Sequence, residues 1–535
     1  MLLRDRQKEL VEKACTALIS HGDTLAVAPT GAGKTIMFSA VLGRLIGQGH
    51  IRKACVVAHR DELTEQNETK FKMVNPNITT SRFNSTVKNW NGQVCFAMVQ
   101  TLNNHCMSMP KIDALVIDEA HHATANSYKN IFNHVREKNT DCKILGMTAT
   151  PNRGDGNALN TIFSNIADQI TVKELISSGH LVHPVCFIMD VGIKNELDKV
   201  RQSGADFDMN HVEKIMNTRP INDAVIEHWK EKAGDRKTVV FCSKLEHATD
   251  VTQAFKEAGI SADMVSGNMG SAQRQEVLSD FEHNKIQVIV NVAVLTEGWD
   301  YPPVSCVVLL RPCSQKSILT QMIGRGLRIV DPETYPNVIK KDCVILDFGA
   351  SLIKHGFVDQ KANLDGRKKK LFIAEEETEE TEEIEDEEKE EDEKSIIVKF
   401  GMKEFEIFKA SPFEWVDLGN DILTATGFEA WSCVTRRNGN WHAIGGIKKS
   451  SIVRCLMIGE RANCLARAND WLNSREMYDS AHKTKSWIKA PATERQLLKL
   501  PPQYRTDYSL TKYKASALIT MYQHANQVKK ILGIH

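Results

Sequence analysis

Residues 24–47, TLAVAPTGAGKTIMFSAVLGRLIG, decide the fold. The opening TLAVA is a short apolar run, and IMFSAVLGRLI repeats apolar residues at helical spacing, so a buried strand leads straight into a helix. The joint between them, PTGAGKT, has the make-up of a phosphate cradle. Gly31 and Gly33 carry no side chain, which lets successive backbone N–H groups along Thr30, Gly31, Ala32 and Gly33 face an anion. Lys34 is placed to reach the β and γ phosphates, and Thr35 offers its hydroxyl to Mg²⁺ at the positive end of the helix.

A second apolar run, DALVIDEAHH at 113–122, ends in Asp118 and Glu119, and Asp118 lies 84 residues beyond Lys34. Open parallel sheets bind their ligands at the carboxyl edge of such strands. Asp118 is suited to hold Mg²⁺ through water and Glu119 to take the proton of an attacking water, the two tasks that in-line phosphoryl transfer sets. His121 and His122 read either as a relay of nucleotide state or as packing for the loop.

A chain of 535 residues exceeds one hydrophobic core, so two to four domains are expected. Its net charge of zero conceals unlike parts. Residues 375–394, EEETEETEEIEDEEKEEDEK, carry −13, residues 395–535 carry +9, and the first 374 carry +4. The acidic run repels itself and reads as a spacer that holds a body apart from a tail domain, with masking of basic surfaces as the alternative. The thirteen Cys form no CxxC pair and no zinc-ribbon spacing, and the N-terminus lacks the order of a secretory signal. No apolar stretch reaches the length of a membrane span, so a cytoplasmic protein with no membrane partner is expected.

Outward from the phosphate loop, nine blocks stand in a familiar order: LRDRQ (3–7), APTGAGKT (28–35), VVAHRDEL (56–63), VQTL (99–102), DEAHH (118–122), GMTATP (146–151), VVFCSKLEHA (239–248), NVAVLTEGWDYP (291–302) and QMIGRGLR (321–328). Together they resemble the motif set of superfamily 2 helicases, and the later blocks look like its RadD/YejH-like branch, with XPB-type helicases and restriction translocases more distant. The resemblance implies an α/β fold of two tandem RecA-like P-loop domains, at 1–184 and 185–360, closing on ATP and Mg²⁺ at their interface. It assigns adenine recognition to Arg4 and Gln7, and nucleotide or interdomain contacts to Gly298 and Asp300. Gln321 would sit near the lytic water or take part in coupling, while His121, Thr148 and Thr150 would couple hydrolysis to domain movement. Arg60, Gln100, Thr101, Ser243 and Thr296 match blocks that touch the nucleic-acid backbone, although each could equally cap a helix. Trp299 reads as core rather than as a stacking platform.

Charge building on a γ phosphate needs a cation, and one supplied by a second domain makes catalysis depend on closure. Arg325 and Arg328 are the candidates, three residues apart and expected on one turn of a single helix. Beyond a charged linker at 361–394, residues 395–535 read as a small mixed α+β domain holding five of the eight Trp. Arg436, Arg437, Lys448 and Lys449 beside Trp431 and Trp441 read as a single-strand stacking surface or, more simply, as a core with a soluble face. The terminal segments resemble those of phage-encoded helicases. The expected function is an ATP-dependent helicase or translocase on single-stranded, forked or branched DNA in replication or recombination, with partner proteins reached through the C-terminal domain. RNA as the track, and remodelling without processive unwinding, stand as alternatives.

Overall fold

The computed structural model describes residues 3–149, 159–189, 191–197, 199–203, 206–296, 298–355, 396–399, 411–476, 482–507 and 509–534. The acidic run, Thr150 and the tip of the GMTATP block lie outside these residues.

The first unit is a seven-stranded parallel sheet ordered β3-β4-β2-β5-β6-β1-β7. Its strands are β1 (Asp23–Val27), β2 (Ala54–Ala58), β3 (Thr80–Phe83), β4 (Val94–Met98), β5 (Ala114–Asp118), β6 (Lys143–Thr148) and β7 (Ile166–Gln169). The central strands are buried from end to end, which is why they read as unbroken apolar runs. Helix α1 (Asp5–His21) places Leu10, Val11, Ala14, Cys15 and Leu18 on one buried face and stops at Gly22, whose φ of 83° only glycine adopts freely. It packs against α2 (Lys34–Gly47), the helix that follows the phosphate loop. Register sets the site: Val27 pairs with Thr148 and Asp118 with Met147, so the ends of β1, β5 and β6 meet at one edge.

The chain crosses to a second sheet through β8 (His183–Ile188), so the limit expected between 184 and 185 falls inside a strand. A short hairpin, β9 (Gln202–Ser203) and β10 (Asp206–Phe207), precedes β11 (Thr238–Cys242), β12 (Ala262–Val265), β13 (Val288–Asn291), β14 (Cys306–Leu310) and β15 (Asp342–Asp347). The sheet runs β12-β13-β11-β14-β15-β8-β16. Alternate residues serve its two faces, with Val239, Phe241 and Leu309 in one core cluster and Val240, Cys242 and Leu310 in the other. Its last strand, β16 (Ile396–Lys399), comes from beyond the acidic run and pairs antiparallel with β8. Residues assigned by sequence to the tail thus complete the second RecA-like sheet.

The third unit is a five-stranded antiparallel meander of β17 (Val416–Asp417), β18 (Ile422–Thr426), β19 (Ala430–Arg437), β20 (Asn440–Ile447) and β21 (Val453–Gly459). Asn438 and Gly439, both at positive φ, close the β19–β20 hairpin as an Asn-Gly turn should. One helix, Arg461–Asn473, packs on β19, β20 and β21, and a second, Lys512–Ile531, packs against β18 and β21. Trp431 is fully buried and stacks on His524 at 4.9 Å, so it is core and offers no platform to a nucleic-acid base. Nor does a spacer hold this unit away from the rest, because the Arg461–Asn473 helix rests on the first domain.

Candidate active site

The phosphate loop leaves β1 with Gly31 and Gly33 at φ of 90° and 87°. A side chain at Gly33 would meet Gln7 Nε2 at 2.6 Å and one at Gly31 would meet Leu181 Cδ2 at 2.7 Å, so both glycines serve close approach as well as backbone shape. Gln7 donates from Nε2 to Ala32 O at 2.8 Å and accepts from Arg4 N at 3.1 Å, which ties the start of α1 to the loop.

Lys34 Nζ lies 2.8 Å from Glu119 Oε1. Thr35 donates to Asn67 Oδ1 at 3.0 Å, and Asn67 Nδ2 donates to Asp118 Oδ2 at 2.9 Å. Asn67, on helix α3 (Asp61–Val74), therefore bridges the hydroxyl and the carboxylate expected to hold Mg²⁺. A hydroxyl and a carboxylate at the mouth of a phosphate loop are the hard oxygen donors that ion takes, so the residues fit it. Burial, and then the neighbouring Glu119 charge, push the Asp118 carboxyl upward from its ordinary value. Glu119 has a φ of 54°, and His121 Nδ1 sits 3.4 Å from Glu119 Oε2 and 3.3 Å from the Thr148 hydroxyl. His121 thus joins the end of β5 to the end of β6, and His122 packs against it at 4.1 Å.

The second domain presents the Lys316–Gly324 helix to this edge. Gly324 comes so close that a Cβ there would stand 3.0 Å from Thr30 Cβ. The helix ends at Gly324, with Arg325 as its cap and Arg328 in an extended bridge to Leu181, which corrects the single helix turn expected for the two arginines. Just beyond the helix end Gly326 packs closely on Cys343 Sγ and Val307, leaving no room for a side chain. The two arginines face different partners. Arg325, 7% exposed, donates to the backbone carbonyls of Thr296 and Trp299. Arg328 pairs with Asp300, and burial pushes it down to about 10. Gln321 is buried on the same helix. Gly298, at φ 79°, faces Leu63 across the cleft.

The residues expected to touch a strand gather at the carboxyl edges of both sheets: Arg60 after β2, Gln100 and Thr101 after β4, Ser243 after β11 and Thr296 after β13. Arg60 spans the cleft, its Nη1 3.4 Å from Val294 O, and Gln100 is exposed. Ser243 is buried with its hydroxyl 3.0 Å from His247 Nδ1, and the Thr296 hydroxyl donates to Ala293 O at 3.1 Å. Trp299 packs with Phe281 and Tyr301 as a core residue does.

Three family models match the chain: the type III restriction enzyme res subunit over residues 1–153, the helicase conserved C-terminal domain over 220–330, and the C-terminal domain of the mitochondrial helicase Irc3 over 382–531. The candidate ATP-dependent helicase IRC3 of Saccharomyces cerevisiae is 30% identical over 66% of this chain and 52% of its own length. The candidate mitochondrial helicase irc3 of Schizosaccharomyces pombe is 31% identical over 65% of this chain and 58% of its own. The chain thus spans little more than half of these relatives. A fragment assigned to the HsdR subunit of a type I restriction enzyme from Vibrio vulnificus shares the fold, with a TM-score of 0.51 at 20% identity over 68% of this chain and 66% of that one. These matches support the superfamily and not the RadD-like or phage-encoded branch within it. By motif order, by fold and by these family models the chain resembles superfamily 2 helicases and restriction-enzyme translocases, and it has the P-loop architecture of an NTP-dependent enzyme.

Proposed function

We propose that the chain is an ATP-dependent DNA translocase or helicase that works on forked, branched or other replication and recombination intermediates. The observation that carries the reading is the cleft itself, in which the phosphate loop and the Asp118–Glu119 pair of one parallel sheet face the Arg328 segment of another. In the proposed cycle ATP phosphates draw Lys34 away from Glu119, and the freed carboxylate accepts the proton of the attacking water. Mg²⁺, held by Thr35 and Asp118, would neutralise charge on the β and γ phosphates. Arg328 meets the charge that builds on the γ phosphate when the domains close, so hydrolysis and closure occur together. His121, lodged between Glu119 and Thr148, passes the change from β5 to β6.

Arg60, Gln100, Thr101 and Thr296 lie at the edge where a strand would cross both sheets, and contacts of that kind position phosphates without reading bases. The match of the first domain to a restriction-enzyme subunit supports DNA as the track. A reducing, aqueous compartment such as the cytoplasm fits thirteen free thiols, and no helix among the described residues is long and apolar enough to cross a membrane. The test is the steady-state ATPase rate with single-stranded DNA, duplex, fork, Holliday junction and matched RNA, with Lys34→Ala as the blank. Strongest stimulation by forked or branched DNA is expected. Equal or greater stimulation by RNA overturns the DNA assignment.

A further inference from the structure

The Arg461–Asn473 helix of the tail does more than cover its own sheet. Asn463, fully buried, donates from Nδ2 to Gly179 O and Leu181 O, both at 3.0 Å. Gly179 permits this approach, since a Cβ there would stand 2.6 Å from Ala462 O. Two turns on, Asp470 accepts from Arg4 Nε at 3.0 Å and lies 3.3 Å from His180 Nε2. Burial pushes its carboxyl up, but His180 and Arg4 outweigh this and hold it down at about 2. A line of bonds therefore runs from Asp470 through Arg4 and Gln7 to Ala32 of the phosphate loop.

Beside that line lies a cavity of about 370 Å³ walled by the loop region, by the tail and, from the second domain, by Asp331 and Glu333. Gly31, Gly33 and Ile36 form the loop wall, and Arg467, Trp471 and Arg475 belong to that of the tail. The Arg475 guanidinium carbon stands 3.2 Å from the centre of the Trp471 ring. Burial, with Arg454 and Arg467 close by, lowers its proton affinity, and Glu333 on the same cavity partly offsets this. Arg4, Gln7, Asp470 and Asn473 line both this cavity and a neighbouring one of about 280 Å³. Each is large enough for a purine ring system, and the larger borders the phosphate loop at Gly31 and Gly33.

We propose that the tail is part of the nucleotide site, with Asn473 and Arg475 contacting the nucleoside end of the bound nucleotide and Asp470 acting as a positioning residue for Arg4. This rests on the reading that ATP phosphates occupy the loop. The chemistry suits a purine: guanidinium and amide donors meet ring-nitrogen acceptors, while the Asn473 carbonyl accepts from an exocyclic amine. The tail then senses which nucleotide is bound through direct contact.

The test measures binding of ATP, ADP and inorganic tripolyphosphate to the full chain by calorimetry, for the wild type and for Asn473→Trp, Arg475→Gln, Asp470→Asn and Lys34→Ala. Asn473→Trp fills the shared cavity wall, and Arg475→Gln carries the same test from a position beyond the helix core. Both are expected to weaken ATP and ADP about tenfold or more and to leave tripolyphosphate within twofold. Asp470→Asn, which removes an ion pair with Arg4, is expected to lower the melting temperature and, beyond that, to reduce the preference for ATP over tripolyphosphate. Unchanged ATP affinity in both wall variants overturns the proposal, as does equal weakening of tripolyphosphate. Failure of the underlying reading looks different: Lys34→Ala then binds ATP and tripolyphosphate as the wild type does.

Discussion

Arg325 and Arg328 sit three residues apart, and the structure separates what they do. Arg325 is 7% exposed and serves the carbonyls of Thr296 and Trp299, so Arg325→Ala leaves two carbonyls without a charged donor. At about 1–2 kcal/mol for each, the loss of stability is about 2–4 kcal/mol. Arg328, 23% exposed, pairs with Asp300, 39% exposed, and loss of a pair still open to water on its acidic side costs about 1 kcal/mol. Yet an arginine that meets γ-phosphate charge is worth about 10³–10⁵ in rate, which corresponds to about 4–7 kcal/mol. Arg325→Ala is therefore expected to lower the denaturation midpoint markedly. Arg328→Ala and Arg328→Lys are expected to keep the midpoint and lose nearly all nucleic-acid-stimulated kcat, since a lysine lacks the planar fork. Urea unfolding and steady-state ATPase assays on the same preparations decide it. An Arg328→Ala enzyme within tenfold of the wild-type kcat would refute the assignment, whatever its stability.

Asn67→Ala, which removes the bridge between Thr35 and Asp118, is expected to raise the Mg²⁺ concentration for half-maximal ATPase by about 10–100-fold, read from a metal titration at fixed ATP. Gly326→Ala forces a Cβ to 2.3 Å from Cys343 Sγ and 2.8 Å from Val307 Cγ2, so a loss of about 1–3 kcal/mol is expected in chemical denaturation. Lys340, fully buried and donating to Pro302 O, is pushed down to about 7 by burial. The folded chain holds that proton less tightly than the unfolded chain, so the stability linked to it is complete above the ordinary lysine value of about 10.4 and is lost as pH falls through the folded value. Relative to Lys340→Met, the wild type is expected to gain stability between pH 7 and pH 10, and parallel melting curves across that range would contradict this.

What was legible in the chain was what local chemistry dictates. The β1 strand, the phosphate loop and α2 are contiguous, and a strand buried on both faces must be apolar throughout, so both β1 and β5 stand out. The Asn438–Gly439 hairpin was legible for the same reason, because two residues set its turn. Asn67 was not, although a buried polar residue inside an otherwise amphipathic helix is a signal that could have been weighed. Asp470 had no signal at all, since its meaning depends on Arg4, 466 residues away. For the arginine pair a spacing of three suggests one helix turn, whereas the helix ends at Gly324, before both arginines, and spacing alone carries no signal of where a helix stops. The tail's attachment was misread because acidic composition describes the run and says nothing of where the chain on either side of it docks.

That docking is asymmetric, and the asymmetry bears on how a motor would use the tail. Toward the first domain the tail's contacts are the more buried: Asn463, fully buried, on two carbonyls, Asp470, 16% exposed, between Arg4 and His180, and Ala462 against Gly179. Toward the second domain its ion pairs are open ones, Arg454 with Glu333 at 3.1 Å, both side chains 47% exposed, and Arg467 with Asp331 at 3.8 Å. Exposed pairs are each worth about 0–1 kcal/mol and weaken with salt, whereas removing one partner of a buried polar contact costs several times more. Of these polar contacts the cheaper set to break lies on the second domain, although Ile329 there also packs against the tail's core and a Cβ at Gly459 would stand 3.0 Å from Lys340 O. Were that set to yield, the tail would stay with the phosphate loop as the second domain moved. Asp331 and Glu333 lie three and five residues beyond Arg328, so the segment that releases the tail is the one that carries the arginine toward or away from the nucleotide.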